Sequence, residues 1–402
     1  MRMLVSFAAL FLSVILLQLS TGGVAPLDAI SGLTLEFSTA EIGFLGSAHF
    51  VGFFIGCWWA PRLLGSVGHA RAFAAFTATG AIGLLMHMII VDPLAWAIMR
   101  VASGLCVAGC YTVIEAWLQA KVTNKTRGRM MGAYRVADMG ASLVAQLMIS
   151  VLEPASYVSY NLLAIICCAS LLPLTLTKVR QPETPAAPRL RPGLALQISP
   201  LAAAGVVVAA LSSAGFRMVG PVYGQQVGLD IDQIAYFLAA FVLGGALAQI
   251  PAGILADKFD RRHVMIALSA AAMLTSLVSM LIDAESPSVV MVAAFLFGAT
   301  SFPIYSVAAA HANDFATAEQ RVELSAALMF FYATGAIIAP LLSSVLIERF
   351  GPPALFAMIA VAHFALIAIS LARMLFRPAP SDRTRYIWSP RTSVTIGWRG
   401  AE

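Results

Sequence analysis

The feature that most constrains this chain is a succession of apolar runs of helix length, continuing almost without pause from the first residues to about Phe376. A run of about 20 apolar residues is long enough to cross the hydrocarbon core of a bilayer as an α-helix. Twelve can be read: Leu4 to Val24, Ile42 to Ala60, Ala72 to Val91, Leu94 to Leu118, Met131 to Leu152, Val158 to Leu176, Leu201 to Val222, Ile234 to Leu255, Val264 to Ile282, Val289 to Ala312, Leu324 to Leu346 and Ala354 to Leu375. With 60% hydrophobic and only 11% charged residues, a water-soluble globular chain is excluded. The expectation is an all-α membrane protein with twelve transmembrane helices. The first run imitates a secretory leader behind Arg2, but no small-residue cleavage site follows it, so it reads as a retained first helix.

The basic residues set the orientation. Of the 25 lysines and arginines, only Arg349 falls in an expected outer loop, and Arg100, Arg135 and Arg217 are embedded; all the others collect on one side when the spans alternate from an inside Arg2. Cytoplasmic loops carry such an excess, so both termini are expected in the cytoplasm and the chain in a bacterial inner membrane. The same rule explains the net charge of +5 without nucleic acid, which is not an expected partner. A proline-rich, charged stretch with Lys178, Arg180, Arg189 and Arg191 parts spans six and seven. The expected division is a six-helix half at 1–176, a cytoplasmic linker at 177–200, a second six-helix half at 201–376 and a cytoplasmic tail at 377–402.

The two halves can be superposed in sequence. At an offset of 192, Ile42 falls on Ile234, Phe44 on Tyr236 and Gly52 on Gly244; at 194, Gly104 falls on Gly298, Tyr111 on Tyr305 and Arg127 on Arg321. Six spans is an even number, so both copies enter the membrane from the same side and form parallel repeats about an axis along the membrane normal. The fold class is therefore two parallel six-helix repeats.

On these residues the chain resembles the major facilitator superfamily of secondary transporters. Gly253, Asp257, Arg261 and Arg262 in GILADKFDRRH are similar to that family's signature between the second and third helices of a half, with Asp260 where the family usually has glycine. In the first half the counterpart from Pro61 to Arg71 is degenerate, Gly65 standing in place of the aspartate. Arg100 followed by Gly104 resembles the Arg-x-x-x-Gly pattern of many proton-coupled members. Ile114 to Leu118, followed by Arg127, Gly128 and Arg129, resembles a bacterial subgroup whose substrates are largely unassigned. The resemblance implies a monomeric transporter of a small solute, working by alternating access and driven by protons or another coupling ion.

Physical chemistry points to the same residues. A charge inside a span costs about 2.5 to 3.5 kcal/mol on insertion scales, so it faces a cavity or a partner. At 100° per residue, Arg135, Asp138, Ser142 and Gln146 share an arc of about 80° on span five, and Arg100, Gly104, Tyr111 and Glu115 share about 60° on span four. Glu115 and Arg135 stand at similar depth and are expected to pair, as a structural clamp or as part of a transport cavity. Asp138, a turn deeper and with Arg135 as its nearest partner, is the first candidate for a proton-carrying carboxylate, with Glu115 the second. Arg100 and Arg217 suit either an anionic group of a substrate or a structural partner, Asp28 or a helix C-terminus. His49, His87 and His363 read as isolated histidines, each buried or near a cavity wall, whereas His311, with Asn313 and Asp314 at the end of span ten, reads as solvated at the surface. Tyr111 and Tyr305 occupy matching repeat positions and are cavity candidates. Asp257, Arg261 and Arg262 suit a lock on one membrane face.

The five cysteines lie in apolar runs without paired spacing, so neither disulfides nor a metal site is expected. No phosphate-binding loop, metallohydrolase motif or nucleophile elbow is present, which argues against an ATP-driven pump, an enzyme or a cofactor. Export of a hydrophobic or cationic compound is favoured over uptake by the acidic residues and apolar walls. The alternative is a receptor or scaffold, for which the chain supplies no sizeable soluble domain.

Overall fold

The computed structural model describes residues 2–122, 127–176, 190–282, 286–317, 319–376 and 383–386, and within these the regular structure is helical. In chain order the helices are α1 (Arg2–Thr34), α2 (Thr39–Val67), α3 (His69–Met86), α4 (Pro93–Lys121), α5 (Arg127–Leu147), α6 (Tyr157–Ala169), α7 (Leu172–Thr175), α8 (Pro192–Ile198), α9 (Pro200–Gln226), α10 (Ile231–Lys258), α11 (Arg261–Ser279), α12 (Pro287–Ser301), α13 (Pro303–Asn313), α14 (Arg321–Phe350) and α15 (Ala354–Phe376). Counting α6 with α7 and α12 with α13, and setting aside α8, which has only 7 residues, twelve traverses result among the described residues. Ten are long and apolar enough by themselves to cross a membrane. The other two are α3, with 18 residues, and α5, whose polar face holds Arg135 and Asp138.

Several expected boundaries move. The first helix continues ten residues past Val24, straight through Pro26, and α9 likewise runs through Gly220 and Pro221, although proline removes one donor in each. The tenth span does divide, at Phe302, where Pro303 opens α13. Helix starts follow capping chemistry: the Asp92 carboxylate accepts from Ala95 N–H at 2.9 Å ahead of Pro93, and Asp230 and Gln233 form a reciprocal capping box. Much of the expected linker, residues 177–189, lies outside the described residues, as does most of the expected tail; the linker's last part contains α8.

The chain resolves into two compact units. One is built from Met1–Phe37 and Phe44–Ala187, the other from Pro188–Arg391 with Ser38–Gly43. In the first, α1 packs on α4, α5 and α6, and α3 packs on α4 and α6; in the second, α9 packs on α13, α14 and α15, and α11 on α12, α13 and α15. The neighbour sets correspond under the repeat. So do two close crossings. A Cβ on Gly104 would run into the His49 carbonyl of α2, and one on Gly52 into the Val101 carbonyl of α4; in the second unit Gly298 stands so against the Phe241 carbonyl and Gly244 against that of Phe295. Only glycine lets the backbones approach this closely.

The polarity of the units is inverted relative to a soluble protein. Ile250 is 71% exposed and is accompanied outside by Ile82, Ile98, Ile165 and Leu247, whereas Ser13, Ser20, Ser212 and Ser343 are buried. Three of these serines hydrogen-bond to backbone, as from Ser20 Oγ to the Leu163 carbonyl at 2.7 Å, from Ser212 Oγ to that of Val208 at 2.8 Å and from Ser343 Oγ to that of Ala339 at 2.7 Å. Apolar outside and hydrogen-bonded polar inside is what hydrocarbon as solvent requires.

Candidate functional site

Two polar networks lie within the first unit. The first joins α1, α4 and α5. Arg135 points Nη2 at Glu115 Oε1 (3.4 Å) and Nη1 at Asp138 Oδ2 (3.5 Å). Glu115 is 0% exposed, Arg135 6% and Asp138 7%. Tyr134 donates its hydroxyl to Glu115 Oε1 at 3.0 Å, and the guanidinium carbon lies 4.9 Å from the Tyr134 ring centroid. The Tyr111 hydroxyl stands 2.5 Å from Asp138 Oδ1 and 2.5 Å from Gln18 Oε1. A phenol has one proton to donate, so it serves one acceptor at a time. Asp138 is therefore not left to Arg135 alone: an α4 tyrosine stands at its other oxygen and shares its hydroxyl with an α1 glutamine. One guanidinium faces two buried carboxylates.

The second network joins α1, α4 and α6 with the turn after α3. Asp28 Oδ2 lies 3.4 Å from Arg100 Nε and 3.5 Å from His87 Nε2. Its other oxygen accepts the Tyr160 hydroxyl at 2.9 Å. His87 Nδ1 lies 2.7 Å from the Gly83 carbonyl, which can only accept, so that nitrogen carries a proton. The His87 ring stacks on Tyr160 at 4.9 Å, and Trp96 Nε1 donates to the His87 carbonyl at 2.7 Å. Of the two alternatives for Arg100, the structure supplies the carboxylate partner. His87 is not isolated. Its contact with Asp28 joins the turn after α3 to α1, far apart in the chain, so a reading one span at a time misses it.

The signature residues lie in the second unit at the α10–α11 turn. Gly253 and Asp257 are on the last turns of α10, Arg261 opens α11, and Asp260 caps it by accepting from Arg262 N–H at 2.9 Å. Arg262 returns its guanidinium to Asp260, with Nη2 to Oδ2 at 2.7 Å. Burial works to raise the Asp260 pKa, but hydrogen bonds from the Arg262 side chain and backbone outweigh it and hold the carboxyl below its ordinary value. The substitution of aspartate for the family's glycine thus supplies a cap and a close partner for Arg262. Arg261 is committed elsewhere. It donates to Ala310 O at 2.8 Å, to Asp314 Oδ1 at 2.5 Å and, at 3.5 Å, to Asp257 Oδ1. The Asp314 pKa is raised by burial, against the lowering effect of Arg261 and Thr384.

Two further expected cavity residues stand apart from these groups. Arg217 lies over the Phe302 ring, 5.6 Å from its centroid. Tyr305 meets Tyr332 edge-on at 5.3 Å, so the repeat partners Tyr111 and Tyr305 have different surroundings. In the degenerate first-half loop, Arg62 Nη1 makes a local contact, donating to the Trp58 carbonyl at 2.5 Å. All five cysteines are free thiols.

The sequence profile of the Major Facilitator Superfamily matches residues 202–399. The chain is 27% identical over 372 residues to the uncharacterized MFS-type transporter YcaD of Escherichia coli O7:K1, covering 90% of this chain and 95% of that protein. Among solved structures, the nucleoside transporter NupG superposes with a TM-score of 0.74 at 15% identity, over 93% of this chain and 99% of that one. The D-xylose–proton symporter superposes with a TM-score of 0.69 at 14% identity, over 94% and 98%. The superfamily's profile thus covers the second half of the chain, the likeness to an MFS-type transporter extends over nearly all of it, and the solved transporters share its fold.

Proposed function

We propose that this transporter is a proton-coupled exporter of a hydrophobic or cationic solute, acting by alternating access of two six-helix halves joined by the 177–200 linker, with both termini in the cytoplasm. The observation that carries the reading is the sharing of Arg135 between Glu115 and Asp138. Two buried carboxylates facing one guanidinium leave an excess negative charge, which is costly away from water. Taking up a proton on one carboxylate removes the excess, and so does a cationic solute. A proton and such a solute competing for one carboxylate is the chemistry of exchange.

Asp138 is the better carrier of that proton. Glu115 is held by Tyr134 and Arg135 together, whereas the hydroxyl on Asp138 can be given up to Gln18. Proteins of this fold include a nucleoside transporter and a D-xylose–proton symporter. Solutes so unlike show that the fold does not select the substrate.

The test is substrate-dependent proton flux in proteoliposomes, across a panel of lipophilic cations and polar metabolites. Proton movement opposite to a lipophilic cation is the expected result. Proton movement in the same direction as a polar metabolite would overturn export, and solute movement indifferent to a pH gradient would overturn proton coupling.

A further inference from the structure

Residues Arg383–Tyr386 lie across the α10–α11 turn, held by hydrogen bonds to the signature residues. Thr384 donates its backbone N–H to Asp314 Oδ1 at 2.8 Å and its hydroxyl to the same oxygen at 2.9 Å. Its carbonyl accepts from Arg261 Nη2, and its Oγ1 from Arg261 Nη1 at 3.1 Å. Tyr386 N–H donates to Asp257 Oδ1 at 2.6 Å, and the Tyr386 hydroxyl to Gln249 Oε1 at 2.9 Å. Arg383 Nη1 donates to the Phe259 carbonyl inside the turn. The Tyr386 ring fills the notch left by Gly253, where a Cβ would come within 2.7 Å of Tyr386 Cδ1.

We propose that this segment is a strap holding α10 and α11 in one setting. Its contacts fall on both sides of the joint: Gln249, Gly253 and Asp257 on α10, Phe259 in the turn, Arg261 on α11, and Asp314 after α13. The Arg261 and Asp314 side chains are each 1% exposed, so they are sealed as well as bound. Three backbone groups of the strap are read by charged side chains, which makes these charge-assisted bonds and fixes the register of the segment. The large apolar surface that it inserts is the Tyr386 ring. The attachment is therefore strong in geometry but small in apolar area, which suits a contact that forms and releases. While the strap is on, Asp257 and Arg261 are occupied by it. A shift of α10 against α11 requires it to leave.

The experiment uses the full-length protein and needs no substrate, so it stands or falls separately from proton coupling. Hydrogen–deuterium exchange is followed in peptides spanning Gly253–His263, and tryptic cleavage after Arg385 is timed against cleavage after Arg180 in the same sample. Tyr386→Ala removes the ring and Thr384→Pro removes the N–H donated to Asp314; neither residue lies in a spanning helix. Both should speed exchange in Gly253–His263 and relative cleavage after Arg385 by roughly tenfold, with Tyr386→Phe in between. Wild-type cleavage after Arg385 as fast as after Arg180, or exchange in Gly253–His263 unchanged by both variants, would overturn the strap.

Discussion

Arg135 and Glu115, 20 residues apart in the chain, meet with Nη2 3.4 Å from Oε1, both buried, and the same guanidinium also reaches Asp138 at 3.5 Å. The arrangement is asymmetric. Removing Glu115 leaves Arg135 a second carboxylate, whereas removing Arg135 leaves two carboxylates without their shared cation. Arg135→Gln should therefore lower thermal stability in detergent more than Glu115→Gln, on the order of 3 kcal/mol for a buried charge left uncompensated. The double variant should recover part of the loss. Strictly additive effects would show that the pair contributes no coupling.

Asp138→Asn should express and insert like the parent, because an amide still accepts the Tyr111 hydroxyl. It should abolish gradient-driven accumulation while preserving solute exchange, since exchange needs alternating access without net proton movement. Accumulation that persists in this variant would place the proton elsewhere.

The glycine crossings separate two kinds of glycine. A Cβ on Gly104 or Gly298 meets a backbone carbonyl that cannot rotate away, whereas nothing lies within 4 Å of one on Gly132 or Gly140. Gly104→Ala and Gly298→Ala should each destabilise by about 3 kcal/mol or more, at or beyond the upper end of overpacking costs. Gly132→Ala and Gly140→Ala should be neutral or stabilising by up to about 1 kcal/mol. Fluorescence-detected melting of the four variants decides this, and equal losses at all four would contradict the crossings.

Asp257→Asn should be produced and inserted at parental levels yet transport more slowly. Asp257 is exposed at the end of α10, and asparagine keeps an oxygen for Tyr386 N–H while losing the charge opposite Arg261. The altered charge acts on the balance between conformations rather than on a packed core. Normal transport by a well-expressed variant would reduce the motif to a marker of topology.

Reporter fusions after Arg180 and after Arg385 should both read cytoplasmic, given that Arg349 is the one basic residue in an expected outer loop. A periplasmic reading at either position would break the twelve-span order.

Membrane character, span count and the internal duplication could all be read from the linear chain. The bilayer imposes its demand on each run of about 20 residues locally, and a duplication leaves residues such as Gly52 and Gly244 at a near-constant offset. The meeting of Glu115 and Arg135 was legible for a related reason, because consecutive spans joined by a short loop place residues at equal depth. What the tertiary structure alone decided is which distant faces turn toward one another. Asp28 lies 132 residues from Tyr160, and Arg261 lies 123 from Thr384. No periodicity connects such positions, because the rotation of each helix about its axis is set by packing against all of its neighbours at once. Hence His87 looked isolated and 377–402 read only as a cytoplasmic tail, and the packed fold gave one a carboxylate and the other the notch at Gly253.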